Sequence, residues 1–204
     1  PMQFPDASGV PVNMLVPPDG SAFDMLARFI EHEYPDPADM EMRGMLAALV
    51  TQNIDDLHRQ AGHRRVLEIH GNHRLLRCVE CNTRFDPEEI AVDTAALPPL
   101  CPHCNGIVKS DIVHFGEPIP QDVLRACFEA VAKTDVMIVA GTSATVYPAA
   151  EFPHEVLRQG GVVIEVNPEP SELTPVATLS LRGPGAAVLT RLLDHVATAQ
   201  QERR

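Results

Sequence analysis

The sequence predicts an α/β fold, a Rossmann-like doubly wound parallel sheet that carries a small inserted zinc-ribbon module. Short apolar segments alternate with amphipathic helical segments in the second half of the chain, which is the pattern of a parallel sheet covered by helices on both faces. Four cysteines lie in two close pairs near the middle of the chain, with a spacing typical of zinc ribbons. With 204 residues and 45% hydrophobic content, the chain can bury a core of its own.

The positions of the apolar residues define the elements of the predicted sheet. Residues 135–140, 162–166 and 176–181 are short apolar runs and are predicted strands. Residues 121–133 and 185–196 repeat apolar side chains at helical spacing, so they are predicted helices that cover this sheet.

The first fifty residues divide into three predicted segments. Residues 1–20 are rich in proline and show no periodic pattern, so we expect them to be irregular. A helix is predicted over residues 21–33, where Ser21 and Asp24 have capping-box spacing. An apolar run at 45–50 then predicts a strand that ends in the polar sequence TQNIDDLHRQAG.

Charge and hydropathy argue against several functional classes. A net charge of -12 disfavours nonspecific nucleic-acid binding, because such binding depends on many Lys and Arg contacts to phosphates. Cationic partners such as lysine-rich protein tails suit this charge better. No run approaches the roughly 20 apolar residues that a membrane span needs, and no signal-peptide pattern opens the chain. We therefore expect no nucleic-acid partner, no membrane partner and a cytoplasmic location.

Polar residues directly follow three of the predicted strands. Ligands of doubly wound sheets bind beyond the carboxyl ends of the strands, where these residues lie. Each group alone has an ordinary alternative, since Gly, Asn, Asp and Ser dominate turns. The three groups together favour a nucleotide-like ligand. They are Gln52, Asn53 and Asp55 after the first strand, Gly141, Thr142 and Ser143 after the second, and Asn167 after the third.

The cysteines form two C-x2-C pairs separated by 19 residues, Cys78 with Cys81 and Cys101 with Cys104. Four thiolates at this spacing can complete a tetrahedral zinc shell, which leaves no position for water or substrate and makes the metal structural. Two disulfides are the alternative, which a reducing cytosol disfavours. His103, inside the second pair, is interpreted as not being a zinc ligand. Cys127 lies on the apolar stripe of a predicted helix and is interpreted as a core residue.

His70 is the candidate general base. It ends the apolar segment VLEIH and lies between the polar strand exit at 52–56 and the first cysteine pair. An imidazole can accept a proton near neutral pH, since its unperturbed pKa is about 6.5. By spacing alone, a hydrogen-bonded structural histidine remains the alternative.

Six motifs in order resemble those of the sirtuins, a family of NAD-dependent protein deacylases, over residues 43–197. They are TQNIDDLHRQAG, LEIHGN, the paired cysteines, DIVHFGEPIPQD, GTSATVYPAA and VNPEP. Each motif alone is weak, but six in the family's order are specific. The resemblance implies that residues 1–77 and 106–204 form a Rossmann-like NAD-binding domain and that residues 78–105 form the zinc-binding insert.

The resemblance also implies roles for individual residues. His70 would be the catalytic base, Asn53 and Asp55 would line the nicotinamide pocket, and Gln52 would face the nicotinamide ribose. The remainder of NAD would be held by Gly141, Thr142, Ser143, Asn167 and Gly185. An acyl-lysine peptide substrate would pair as an added strand with Val113, His114, Phe115 and Gly116.

The implied activity is transfer of the acyl group of a protein lysine to ADP-ribose with release of nicotinamide, as in a deacetylase. The family's glycine loop, GAG-x-S, has no counterpart in this sequence. We therefore expect the chain to be truncated or divergent at its N-terminal side and its NAD affinity to be reduced, because that loop cradles the diphosphate. Two alternatives stay open: a catalytically impaired zinc-containing module that binds acyl-lysine peptides, and a protein ADP-ribosyltransferase.

Overall fold

The structure is a computed structural model that describes residues 41, 46–91 and 97–192. The chain divides into two compact units, and each contains its own β-structure. One unit is Ala48–Cys127, and the described part of the other consists chiefly of residues 128–192.

The first unit begins with a parallel pair of short strands, β1 (Leu49–Thr51) and β2 (Val66–Glu68), with helix α1 (Leu57–Gln60) between them in sequence. Thr51 pairs with Glu68 at the carboxyl ends of the two strands. Ile69 continues this pairing, since its N–H donates to the carbonyl of Thr51 at 3.1 Å and its side chain is fully buried. The parallel register therefore brings the residues that follow both strands to the same end of the pair.

The rest of this unit is an antiparallel sheet with β3 (Gly71–Cys78) in the centre, flanked by β4 (Arg84–Phe85) and β5 (Val108–Ile112). A short 3-10 helix, Pro87–Glu89, follows β4 and starts with a capping box. The buried apolar side chains of this module form a small core: Cys78, Phe85, Ile90, Cys101 and Val108. Of the three strands of this sheet, β4 lies within residues 78–105, the predicted zinc-binding insert, whereas β3 precedes that range apart from Cys78 and β5 follows it. The predicted domain boundaries remain a prediction.

A buried ionic group ties the three antiparallel strands together. Asp111 on β5 is 1% exposed, and its two carboxylate oxygens each accept one hydrogen bond of 2.7 Å, from Nε of Arg77 and from Nε of Arg84. Arg84 also reaches Asp122 at the start of the next helix, at 3.2 Å. Removing one partner of such a buried group typically costs about 3–5 kcal/mol, so Asp111 fixes the position of β5 relative to β3.

Helix α2 (Gln121–Val131) precedes the parallel sheet of the second unit, in which β6 (Val136–Ala140), β7 (Val162–Asn167) and β8 (Leu179–Arg182) lie in that order. Helix α3 (Glu151–Arg158) connects β6 to β7. This helix packs against β6 and β7 through its buried residues Phe152, Pro153 and Val156. Val163 and Val166 of β7 are also fully buried. Residues 185–192 are helical after β8.

The predicted α/β fold with a parallel sheet is confirmed, with differences at element ends. The predicted strand 176–181 begins instead at Leu179. Residues before it form a turn anchored by the buried Leu173, whose carbonyl accepts N–H bonds from Val176 and Ala177. Helix α2 ends at Val131, two residues before the predicted end. The helix predicted over 21–33 lies outside the described residues. None of the helices in the described ranges is long and apolar enough to cross a membrane.

Candidate active site and metal centre

His70 lies beside the polar exit of β1, as the parallel register requires. Its Nδ1 is 3.1 Å from the backbone carbonyl oxygen of Gln52, and the residue is half-buried. A carbonyl oxygen can only accept a hydrogen bond, so Nδ1 carries the hydrogen in this contact. Nε2 of the neutral ring then keeps its lone pair. The structure thus brings His70 and Gln52 together and leaves one imidazole nitrogen able to take a proton.

Gly71 allows the chain after His70 to approach β5 closely. A Cβ atom at Gly71 would lie 1.9 Å from the carbonyl oxygen of Asp111, and its φ of +84° is in the left-handed region. This close approach pairs Gly71 with Ile112, and the next N–H, that of Val113, donates to the carbonyl of His70 at 2.9 Å. The segment predicted to bind substrate therefore starts next to the backbone of the candidate base.

The 113–116 segment is held at its base by Lys109 and Glu117. Nζ of Lys109 donates to the carbonyl of Ile112 at 2.6 Å and to Glu117 at 2.8 Å. The hydrogen bond from Lys109, with one from the backbone N–H of His114, lowers the pKa of Glu117 below its usual value. Phe115, at the tip, is 99% exposed. This loop therefore exposes an uncovered aromatic ring, whereas the backbone N–H groups of Val113 and His114 are already hydrogen-bonded within the protein.

Asp55 carries an unsatisfied buried oxygen. Its Oδ1 accepts the N–H of Leu57 at 3.1 Å, whereas its Oδ2 is buried and has no hydrogen-bond partner within the described residues. An unsatisfied buried acceptor costs about 1–3 kcal/mol, and a ligand N–H directed at Oδ2 would remove that cost. The carboxamide of a nicotinamide ring supplies such a donor, so the residues at this position fit that group.

Asn72 is a buried residue that sequence reasoning did not single out as part of the site. It is 1% exposed, and its Nδ2 donates to Asp56 Oδ1 and to Glu68 Oε1, both at 2.7 Å. Asp56 has a positive φ of 65°, so Asn72 stabilises a strained corner of the loop that carries Asp55. Its place directly after His-Gly was the only signal in the sequence, because its partner Asp56 lies 16 positions away.

The second unit gathers its predicted ligand-binding residues at one edge of the parallel sheet. Ala140 pairs with Val166 at the carboxyl ends of β6 and β7. The N–H of Gly141 donates to the carbonyl of Val166 at 3.1 Å, with a positive φ of 65° at Gly141. Asn167 Nδ2 donates to the carbonyl of Thr142 at 2.9 Å. This amide therefore fixes the turn after β6 to the end of β7.

The same edge continues to β8. Ser143 Oγ lies 2.8 Å from Thr145 Oγ1, and the Ser143 carbonyl accepts the N–H of Glu172 at 3.3 Å. Past β8, the N–H of Gly183 lies 3.4 Å from the carbonyl of Asn167, and Gly185 is buried at the start of the last described helix. The predicted residues 141–143, Asn167 and Gly185 thus all lie at or directly after the carboxyl ends of the strands.

The four paired cysteines converge on one point, as predicted. Their Sγ atoms all lie within 4.8 Å of one another, with 3.5 Å between Cys78 and Cys104 and 3.7 Å between Cys81 and Cys101. A disulfide has an S–S distance of about 2.05 Å, and all five cysteines are free. Zn–S bonds of about 2.3 Å in a tetrahedron place sulfurs roughly 3.8 Å apart. The four thiols therefore fit a zinc ion, and the disulfide alternative does not hold.

Both cysteine pairs use the same local structure, C-x2-C followed by Asn in the left-handed region. Asn82 has a φ of 57° and Asn105 a φ of 62°, and the N–H of each donates to the carbonyl of the first cysteine of its pair, at 3.1 and 2.9 Å. Asn tolerates this backbone region better than most residues. The two matching turns direct four sulfurs toward a shared centre.

His103 and Cys127 are both accounted for by packing. The ring of His103 stacks on Phe85 with centroids 5.6 Å apart, and His103 is absent from the four-residue cluster. Cys127 is fully buried, as predicted for a core residue. Burial raises the pKa of its thiol to about 11, so it is protonated at neutral pH and is a poor nucleophile.

The chain resembles proteins of known family along most of its length. The Sir2 family model matches residues 31–148. A protein of Archaeoglobus fulgidus named NAD-dependent protein deacylase 1 is 44% identical over 164 residues, which cover 79% of this chain and 65% of that relative. The chain therefore spans about two thirds of the length of a curated relative that it matches.

Solved structures that are similar to this chain also belong to Sir2 proteins. A Sir2 homolog in complex with NAD has a TM-score of 0.69 at 39% identity, covering 90% of this chain and 76% of the other. A Sir2 complex with a p53 peptide and NAD+ has a TM-score of 0.66 at 34% identity, covering 85% of this chain and 70% of the other.

Proposed function

The chain belongs to the Sir2 family, and from this membership we propose that it is an NAD-dependent protein-lysine deacylase. The reaction transfers the acyl group of a modified lysine to ADP-ribose and releases nicotinamide. Related proteins carry the name NAD-dependent protein deacylase at 38–44% identity. Because the chain spans 65% of the first of these relatives, the activity of the whole protein is part of the proposal.

The contact between His70 and Gln52 is the observation that carries this proposal. With Nδ1 engaged by the Gln52 carbonyl at 3.1 Å, Nε2 is the nitrogen that accepts a proton from a substrate hydroxyl. A fixed tautomer matters because general-base catalysis, which contributes about 10²–10⁴-fold, requires the lone pair to face the proton. His70 thus acts as the catalytic base, and Gln52 positions it through the backbone.

The residues after β1 hold the nicotinamide end of NAD in this proposal. NAD supplies the ADP-ribose acceptor and a nicotinamide leaving group. Asp55 accepts the carboxamide N–H through its unsatisfied Oδ2, Asn53 lines the same pocket and Gln52 faces the ribose. In the second unit, the proposed NAD-binding residues are Gly141, Thr142, Ser143, Asn167 and Gly185, at the edge of that unit's sheet.

The 113–116 segment binds the acyl-lysine peptide. An extended peptide binds through main-chain hydrogen bonds in this mode, and the exposed residues His114, Phe115 and Gly116, in the turn directly after β5, are accessible to it. Similar Sir2 proteins have been solved with a p53 peptide and with a propionylated peptide. The net charge of -12 suits lysine-rich substrates.

The zinc ion has a structural role in this proposal. It is held by Cys78, Cys81, Cys101 and Cys104, which fill all four positions of a tetrahedral shell. A zinc ion held there would stabilise the small core that includes Cys78 and Cys101, next to β5, which leads directly into the substrate segment. Free thiols suit a reducing compartment, and we include a cytoplasmic location in the proposal.

The test is an assay with an acetyl-lysine peptide that measures the deacetylated peptide and nicotinamide together. We expect stoichiometric formation of both products, only when NAD is present, and loss of both in His70→Ala. Binding of acyl peptide without any turnover would instead favour a catalytically impaired peptide-binding module. ADP-ribose attached covalently to protein, with no deacylated peptide, would favour an ADP-ribosyltransferase.

A further inference from the structure

Glu165 is a buried carboxylate that the proposed chemistry does not use. It lies on β7, two residues before Asn167, and is 1% exposed. Its Oε1 accepts the hydroxyl of Ser171 at 2.5 Å, and its Oε2 lies 2.8 Å from Ser180 Oγ and 2.9 Å from a guanidinium nitrogen of Arg182. The Thr174 hydroxyl lies 2.9 Å from both oxygens. Burying a carboxylate is costly unless it is paired and hydrogen-bonded, and here both oxygens are satisfied.

The partners of Glu165 belong to two chain segments that flank Asn167. Ser171 and Thr174 lie in the turn between β7 and β8, and each is also bonded to the backbone. Ser171 Oγ accepts the N–H of Leu173 at 3.1 Å, and Thr174 Oγ1 accepts the N–H of Ser171 at 2.9 Å. Because the same hydroxyls bond both backbone and carboxylate, Glu165 fixes the conformation of the turn.

Both segments extend to the edge of the sheet that we assign to NAD. From the turn, the N–H of Glu172 donates to the carbonyl of Ser143 at 3.3 Å. From β8, Arg182 donates to the carbonyl of Asn167 at 3.4 Å and to that of Glu169 at 3.2 Å. The buried carboxylate is therefore linked to the Ser143 backbone through the turn that its hydroxyl partners hold, and to the Asn167 backbone through Arg182.

We propose that Glu165 is a positioning residue that holds Ser143 and Asn167 in place for NAD and thereby sets cofactor affinity. This inference rests on the proposed function of that edge. A carboxylate with a purely structural role would stabilise the unit and leave the dissociation constant of the folded protein for ADP-ribose unchanged. Glu165→Gln is the informative substitution, because it keeps the side-chain shape and replaces one acceptor oxygen by a donor that faces hydroxyls and Arg182.

The experiment measures ADP-ribose binding calorimetrically for the wild type, Glu165→Gln and Asp111→Asn, at a temperature where all three are folded. Asp111 is the matched control, since it is an equally buried, arginine-paired carboxylate in the other unit. We expect the dissociation constant to rise at least about tenfold in Glu165→Gln and to stay within about twofold in Asp111→Asn.

The outcomes separate the two proposals. If the folded wild type binds no ADP-ribose, the proposed function and this inference both fall. If the wild type binds and Glu165→Gln binds equally well, the positioning role is wrong and the proposed function stands. If Asp111→Asn weakens binding as much as Glu165→Gln does, the effect is general destabilisation and the inference is again wrong.

Ser171→Ala provides a second test, which needs no ligand and can be carried out even if Glu165→Gln does not fold. It removes one hydroxyl from the carboxylate and the acceptor for Leu173. We expect the Glu172 amide, which bonds Ser143, to exchange with deuterium at least about tenfold faster, while the amide of Val163, near the start of β7, keeps its protection. Unchanged exchange at Glu172 would refute the connection between the carboxylate and the ligand edge.

Discussion

The imidazole Nδ1 of His70 lies 3.1 Å from the backbone carbonyl of Gln52, which fixes the tautomer of the only histidine between β2 and β3. In the proposed function Nε2 serves as the base, so we predict that His70→Ala lowers the deacylation rate by about 10²–10⁴-fold with little change in the melting temperature. Steady-state assays with acetyl-lysine peptide and circular dichroism provide the two measurements.

His73→Ala is the matched control for this prediction. His73 also lies close to a backbone carbonyl of the same loop, with Nδ1 2.6 Å from the Ile54 oxygen, but it is exposed on β3. We expect His73→Ala to retain most activity. Equal losses in the two variants would mean that both act through the loop, and His70 would then not be the base.

We predict that Asp55→Asn separates stability from function. The unsatisfied Oδ2 costs folding free energy in the absence of ligand, so a neutral amide at this position should leave the melting temperature equal or higher. Inhibition by nicotinamide should weaken at least about tenfold, since a carboxylate acceptor is lost. A variant that melts at a lower temperature and binds nicotinamide normally would contradict the assignment.

The cysteine cluster could be predicted from sequence because its determinants are local. Each C-x2-C turn forms within five residues, as the matching Asn82 and Asn105 corners show. For four thiols at two such turns, the sequence left only a zinc site and two disulfides to consider. Within each unit, the place where polar residues gather was also predictable, because parallel strands bring their carboxyl ends together. Such residues follow Thr51 in one unit and follow Ala140 and Val166 in the other.

The networks behind these sites could not be predicted in the same way. Asn72 bonds Asp56 across 16 positions, and Glu165 bonds Ser180 across 15. No spacing rule selects such partners, because they depend on which strands lie side by side. Glu165 lies within the apolar run VVIEV, where a lone acidic residue is uninformative until its hydroxyl partners on the neighbouring turn and strand are known.

Gly71→Ala is predicted to destabilise the protein by steric overlap, not only by backbone strain. The added Cβ would lie 1.9 Å from a carbonyl oxygen, whereas a Cβ at Gly160, with nearly the same φ of +82°, would meet nothing within 4 Å. We expect Gly160→Ala to cost about 1–2 kcal/mol for the left-handed backbone and Gly71→Ala roughly 2–5 kcal/mol. Chemical unfolding measures both, and equal losses would show that overlap at Asp111 is unimportant.

Removal of zinc is predicted to unfold the antiparallel module. Structural zinc contributes apparent binding free energies of about 10–16 kcal/mol in small zinc domains, and the sulfurs of Cys78 and Cys101 are part of the module's buried core. We expect one zinc per wild-type chain by elemental analysis, and loss of both metal and activity in Cys101→Ser. Cys127→Ala, at a fully buried cysteine outside the cluster, should keep its zinc. A folded, active and metal-free wild type would refute the site.

Glu165 should make stability depend on pH in a defined direction. Burial raises its pKa, but the hydrogen bonds from Ser171, Ser180, Thr174 and Arg182 outweigh burial and leave its pKa below the usual value. A carboxyl whose pKa is lower in the folded state stabilises the protein above its unfolded pKa of about 4.3, and that stabilisation is lost as pH falls through the folded value.

The melting temperature of the wild type should therefore exceed that of Glu165→Gln at pH 7, and the difference should shrink below about pH 4. Glu129→Gln, at an exposed position of α2, is the control that should match the wild type throughout. A difference between wild type and Glu165→Gln that stays constant from neutral to acidic pH would mean that Glu165 is already protonated in the folded protein, because only an ionised carboxylate loses its contribution when it takes up a proton.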